Sequence, residues 1–251
     1  MSHHLSKAFK EAGEEVTLIN SRTLEGLESE IEFIVISVSD DAIGEVASHI
    51  GRKLTSEYKG IVCHTAGSVP LEILKDYFEN YGVIYPLQTF SKENSNLDFS
   101  IIPVFVEANS KENEVKIKNV ATKISNEVGI LSSEKRINLH IAAVYACNFA
   151  NALYGIACDI LDDANVSFNV MFPLIQQTLN KLKEMSPSEA QTGPAVRNDL
   201  KVIEKHKKWL ENMPEEKRIY ELITNYIISS TGKRQNGQDR LRFEQNKRSG
   251  V

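Results

Sequence analysis

Three polar side chains, His140, Asn148 and Asn151, interrupt the apolar run LHIAAVYACNFANALYGIACDIL from Leu139 to Leu161. An imidazole can give or take a proton near neutral pH, and carboxamides can orient or polarise a carbonyl or imine. The steps from His140 through Val144, Asn148 and Asn151 to Gly155 place all five residues on one face of a helix. A buried amide or imidazole without a partner costs roughly 1–3 kcal/mol, so the row needs polar company, from other helices or from a ligand. Taken as a group, it reads as one wall of a ligand site. A second dense stretch holds Gln191, Thr192, Gly193, Pro194, Arg197 and Asp199. A Gly-Pro turn by itself marks only a loop. An amide, a hydroxyl, a guanidinium and a carboxylate together can do more, and Arg197 suits bidentate capture of a substrate carboxylate. His140, Asn148, Asn151 and Arg197 are expected to converge on one cleft. His206 and Trp209, one turn apart, read as packing.

The elements that position these residues fall into two halves. Leu5, Ala8, Phe9 and Ala12 predict a first helix closed at Gly13. Val16–Ile19 predicts a short strand and Ile31–Val38 a strong one, its β-branched run typical of parallel sheets. A helix through Ile43, Val46, Ala47 and Ile50 follows, capped from Ser39, Asp40 or Asp41. Gly60–His64, Gly82–Tyr85 and Ile101–Ala108 predict further strands, with a helix over 71–82 and another from Glu112 to Val128. Strands alternating with helices argue an α/β fold with a doubly wound parallel sheet. Strand signals stop near Gly129. After the long apolar helix, the spacing predicts helices over 168–182, 199–210 and 215–228. The expected division is residues 1–128 as the α/β lobe, 129–230 as an all-helical lobe and 231–251 as a flexible tail.

A doubly wound sheet binds ligands at the carboxyl ends of its strands, and three polar turns fall there. Ser21, Arg22 and Thr23 follow the strand beside which the adenosine ribose of a dinucleotide lies; a guanidinium flanked by hydroxyls suits the extra phosphate of NADP. The alternative is a solvated turn. Ser37, Val38 and Ser39 can line a cofactor through backbone contact. Thr65, Ala66, Gly67 and Ser68 let backbone approach a flat ligand, although a helix cap explains Ser68 equally well.

Bulk properties narrow the partners. A net charge of −5 over 251 residues gives no electrostatic footprint for nucleic acid. The long apolar helix is too interrupted by His140, Asn148, Asn151 and Asp159 for a transmembrane reading; its alanines keep it slim, as suits a helix buried on every side. Cys63, Cys147 and Cys158 are odd in number, lie in apolar runs and lack metal-ligand spacing, which predicts reduced thiols and a cytoplasmic protein.

Four ordered motifs carry a resemblance: HTAGS at 64–68, YPLQTFSK at 85–92, NLHIAAVYACNFANALY at 138–154 and AQTGPAVRND at 190–199. They resemble a bacterial family of uncharacterised proteins that join a Rossmann-like NADP-binding domain to a helical domain of unknown function. That family is similar in plan to pyrroline-5-carboxylate reductase, 6-phosphogluconate dehydrogenase and the deazaflavin-dependent NADP oxidoreductases. The resemblance implies NADP as cofactor, hydride exchange with a small carbonyl or imine substrate between the lobes, and a homodimer built through the helical lobe. On their own chemistry, His140 is the expected proton donor, Asn148 and Asn151 the orienting groups, and Gln191, Thr192, Gly193 and Arg197 the substrate contacts. Related chains open with a strand and a glycine-rich phosphate-binding turn, whereas Met1 stands where that turn finishes. The expected natural start therefore lies roughly ten to fifteen residues upstream. The competing class is a non-enzymatic dimer that binds a nucleotide weakly or acts as a scaffold; the missing turn favours it, and the polar row favours the enzyme.

Overall fold

A computed structural model describes residues 1–54, 58–91 and 97–234, the last four as backbone only. It divides into two compact units, Met1–Ala150 and Asn151–Val251. The division falls inside the long helix, not at 128/129, because the first turns of that helix are tied to the α/β unit by the buried Arg136.

The first unit is built on a five-stranded sheet. Its strands are β1 (Phe33–Ile36), β2 (Ile61–His64), β3 (Tyr81–Pro86), β4 (Val104–Ala108) and β5 (Val128–Ile130), lying side by side in chain order. β1, β2 and β3 run parallel, with Phe33 opposite Ile61 and Cys63 opposite Gly82. β4 returns antiparallel to β3, pairing Tyr85 with Phe105, and β5 is parallel to β4. The sheet is therefore mixed where the sequence predicted an all-parallel one: β3 and β4 need no helical crossover between them. β5 begins at Val128, the last residue of the expected helix, and α3 stops sooner, spanning Lys111–Ala121.

Helix α1 (Ser2–Glu11) buries Leu5, Ala8 and Phe9 against Phe99, Ile102 and Ile124, as its spacing required. Val16–Ile19 does not pair as a strand; Ile19 packs against the core from a segment without regular secondary structure. Helix α2 (Ile43–Lys53) covers one face of the sheet and α3 the other. Residues Leu71–Leu74 form only a short 3-10 turn where a longer helix was expected. Alternation along β2 and β3 sorts the faces: Cys63 and Ile84 point to the α3 side, while Val83 and Tyr85 meet Leu71, Phe105 and Leu139.

Helix α4 runs from Ser133 to Asp163. It is long and apolar enough to cross a membrane by length and composition alone. The expectation of a helix buried on every side is not met: Ile141, Tyr145 and Phe149 are exposed. Val144–Phe149 form a π-helical turn. A π turn holds about one more residue than an α turn. Residues on either side of it are thus rotated away from the straight stripe that spacing at 3.6 residues per turn implied.

The second unit adds α5 (Phe172–Glu184), the short α6 (Pro187–Ala190), α7 (Leu200–Trp209) and α8 (Pro214–Arg234). α8 extends past the expected start of the tail; residues 235–251 lie outside the described residues. Among the described residues of this unit, Ala195 and Ile203 are the buried apolar side chains. Trp209, expected to pack, is 79% exposed, while His206 hydrogen-bonds Tyr220 Oη at 3.0 Å.

Candidate functional site

The site in the first unit is the loop Thr65–Pro70, which leaves the carboxyl end of β2. Two buried side chains fix it. His64, fully buried at the end of β2, accepts the Ala66 N–H at Nδ1 over 3.2 Å. That bond places the proton on Nε2, which makes no hydrogen bond of ordinary geometry. From the other side comes Arg136, in the first turn of α4 and 1% exposed. Its Nε donates to the Ala66 carbonyl at 3.2 Å and one terminal nitrogen to the Val69 carbonyl at 2.6 Å. Its other terminal nitrogen is paired with Glu107 on β4. Glu107 in turn accepts from Ser133 N at 2.7 Å and Ser133 Oγ at 2.8 Å, while Ser133 Oγ accepts the Leu71 N–H at 3.0 Å. A carboxylate at the amino end of α4 also meets the positive end of the helix dipole.

Arg136 and His140 lie one helical turn apart on the same face. The face that grips Ala66 and Val69 therefore also sets the His140 ring over Gly67. His140 Nδ1 lies 3.2 Å from the Tyr85 hydroxyl. Gly67 fits tightly beneath both rings: a Cβ there would stand 2.7 Å from His140 Nδ1 and 2.8 Å from Tyr85 Cζ. Across the loop, Ser68 Oγ donates to Asp40, which joins this loop to the one after β1.

Burial pushes the Tyr85 phenol above its ordinary pKa, against the pull of nearby Arg136, so it stays protonated. Burial, reinforced by Arg136, lowers His64 from 6.5 to about 4; the Pro70 carbonyl and Asp40 act more weakly in the opposite sense. His64 is thus neutral in the fold at neutral pH. Because the unfolded chain takes up this proton near 6.5 and the fold only near 4, stability is lost as pH falls through that window. The expected loss is about 2–3 kcal/mol at roughly pH 4.5 relative to neutrality. Urea melts of wild type and His64→Gln at both pH values measure it. The variant should lack this part of the pH dependence, and identical slopes in the two proteins would remove His64 as its source.

The other sequence-derived positions lie as follows. Ser21, Arg22 and Thr23 form a turn in which Asn20 Oδ1 accepts the Arg22 N–H at 2.9 Å, with Arg22 and Thr23 exposed. Ser37 and Val38 are half-buried, and the Ser39 carbonyl opens the turn before α2 by accepting from Ala42 N at 2.9 Å. Thr65, Ala66 and Gly67 are buried and Ser68 is exposed. His140 is half-buried at the loop, whereas Asn148 and Asn151 are exposed on α4.

In the second unit, Gly193 has φ +110, a conformation suited to glycine. The turn there is closed by Asp199 N donating to the Pro194 carbonyl at 2.9 Å. Asp199 also caps α7 through Val202 N. Gln191 Nε2 bonds the Thr192 carbonyl, and Gln191, Thr192 and Arg197 are exposed. An apolar recess of about 240 Å³, lined by Leu153, Ile156, Pro194, Ala195 and Ile223, adjoins this loop.

Sequence reasoning singles out neither Arg136 nor Glu107, and it gives no site role to His64 and Tyr85, which open two of the quoted motifs, or to Asp40, a helix-cap candidate. Period-2 alternation could have put Tyr85 on the same side as Val83. Arg136 was recoverable only as a charge one turn before His140.

The family match decides the affiliation. Residues 102–227 match the domain of unknown function DUF2520. The chain belongs to the DUF2520 family. A Bacteroides fragilis protein described as a candidate NADP oxidoreductase is 36% identical, with a TM-score of 0.83 over 91% of this chain and 94% of that one. A Thermotoga maritima protein matches at 24% identity and a TM-score of 0.67, covering 84% of this chain and 82% of its own. Plasmodium falciparum pyrroline carboxylate reductase, solved with NADP bound, shares the fold at 12% identity and a TM-score of 0.51, over 91% and 94% of the two chains. A search among curated proteins returns no match. The DUF2520 chain thus has the Rossmann-like α/β fold with a helical C-terminal region.

Proposed function

We propose that this DUF2520 protein is an NADP-dependent oxidoreductase acting on a small carbonyl or imine. The observation that carries the reading is the meeting of His140 with the Thr65–Ser68 loop at the carboxyl end of β2, where doubly wound sheets bind ligands. The 36% identical relative described as a candidate NADP oxidoreductase supports it. Thr65–Ser68 would border the nicotinamide, Ser37–Ser39 would line the cofactor, and Arg22 with Ser21 and Thr23 would meet the phosphate that distinguishes NADP from NAD.

NADPH, held by these residues, would supply hydride chemistry at the substrate carbon. His140 gives the balancing proton to the substrate oxygen or nitrogen and regains it from solvent, yielding an alcohol or amine. Asn148 and Asn151 would orient the substrate, with Gln191, Thr192 and Gly193 as further contacts. Arg197 would hold an acidic group on it. A second copy of the chain would cover the apolar helical unit, making the protein a soluble, cytoplasmic homodimer.

The test is titration of the purified protein with NADPH and NADH, read by nicotinamide fluorescence, followed by NADPH oxidation against a panel of keto acids and cyclic imines. Arg22→Ala is expected to weaken NADPH binding about tenfold, consistent with loss of one charge-assisted contact, and to leave NADH nearly unchanged. Equal losses for both would remove Arg22 from cofactor selection. Absence of binding would favour a non-enzymatic scaffold.

A further inference from the structure

We infer that Tyr85 is a positioning residue for His140: its hydroxyl holds the imidazole through Nδ1 and keeps Nε2 as the proton-bearing nitrogen. The inference rests on the reading of His140 as proton donor, but its geometry stands by itself. Tyr85 lies on β3 with its side chain buried among Val83, Leu71 and Leu139, so the phenol has little freedom to swing. Its Oη is 3.2 Å from His140 Nδ1, and the two rings meet edge to face with centroids 6.2 Å apart. Gly67 closes the third side, and no larger residue fits there without displacing one of the rings.

A phenol differs from the carboxylate that often orients a catalytic histidine, because it can donate as well as accept. Against a neutral imidazole, the buried Tyr85 O–H has His140 Nδ1 as its acceptor among the described hydrogen bonds; donation to Nδ1 puts the ring proton on Nε2. Against an imidazolium, Nδ1–H donates to Tyr85 Oη, and Nε2 again carries a proton. A carboxylate would accept only, and would place the neutral ring's proton on Nδ1, which leaves Nε2 bare. The protonated, buried phenol therefore preserves a donor at Nε2 in both states of the ring. Arg136, Asp40 and His64 belong to the elements bordering the same loop. Arg136 is already spent on Glu107 and two carbonyls, Asp40 meets Ser68, and His64 binds the Ala66 amide. Tyr85 is thus the side chain that the structure gives to His140.

Imidazole nitrogen NMR on uniformly labelled, full-length protein, without cofactor or substrate, tests the pairing directly. At a pH where the His140 ring is neutral, wild type should show Nδ1 as an unprotonated acceptor and Nε2 as N–H. Tyr85→Phe, which keeps the ring and its packing, should give averaged signals at both nitrogens as the tautomers exchange. Gly67→Ala should do the same by pushing the rings apart, although the hydroxyl is still present on Tyr85. Thermal melts of all three identify any variant that has lost its fold. A wild-type spectrum with the proton on Nδ1, or a Tyr85→Phe spectrum unchanged from wild type, would overturn the proposal.

Turnover supplies the functional half. With NADPH and the carbonyl or imine found by the panel, Tyr85→Phe should lower kcat about tenfold with KM little changed, the size expected for one lost orienting hydrogen bond. An unaltered kcat would also overturn it. Should NADPH not bind at all, the oxidoreductase reading fails while the nitrogen spectra still decide the Tyr85–His140 pairing.

Discussion

Arg136→Met is expected to lower the folding free energy by about 3–5 kcal/mol, the usual size for removing one partner of a buried ion pair. The reason is what the substitution leaves behind. Glu107, 15% exposed, would lose its guanidinium partner. The carbonyls of Ala66 and Val69 would lose their Arg136 donors. With total stabilities of ~5–15 kcal/mol, such a loss leaves a protein near the edge of unfolding at physiological temperature. Urea denaturation of Arg136→Met, Glu107→Leu and the double variant measures it. The double variant should recover part of the loss, because two apolar residues replace two paired charges without leaving either alone. Full additivity of the two single losses would mean that the pair is not coupled. The Arg136 variant should also broaden the His140 signals, since the same helical face seats both residues on the loop.

The second large effect concerns the helical unit. A unit of this length with only Ala195 and Ile203 as buried apolar side chains among the described residues does not have the core that a small domain needs to stand alone. Its apolar residues are outside: Leu174 is 61% exposed, Leu222 62% and Tyr226 65%. Leu222 and Tyr226 are four apart on α8 and so share a face. If a second copy covers that face, as proposed above, sedimentation should give a dimer. Leu222→Asp with Tyr226→Asp should then weaken association at least ~100-fold, because two charges would be driven into an apolar interface. A wild-type protein that sediments as a monomer would sink the proposal, and would leave the exposure of α4, α5 and α8 to be explained by another partner.

What the sequence determined by itself is largely what local patterning controls. The β-branched run Ile31–Val38, the GIVCH strand and the spacing of Leu5, Ala8 and Phe9 each specify a period and a buried face, and each element forms within that pattern, the first strand over the shorter span Phe33–Ile36. The order of strands and helices followed, and with it the α/β class and the helical C-terminal region. His140 could be singled out because a titratable side chain in an apolar run is costly unless something meets it.

Tertiary structure alone decided the rest. Val16–Ile19 has strand composition, but a strand exists only where a neighbour supplies its ladder, and pairing partners are not written in a four-residue segment. The reversal of β4 depends on which edge the chain returns to, which hydrophobic alternation does not encode. A π turn at Val144–Phe149 bent the stripe that 3.6-residue counting had drawn straight, since helical period is assumed, not read, in sequence arguments. Tyr85 opens the YPLQTFSK motif, but its role is not legible there, because it lies 55 positions from His140 and looks like any core aromatic in a strand. Only the packing of α4 on the loop after β2, fixed by Arg136, brings that hydroxyl to the imidazole.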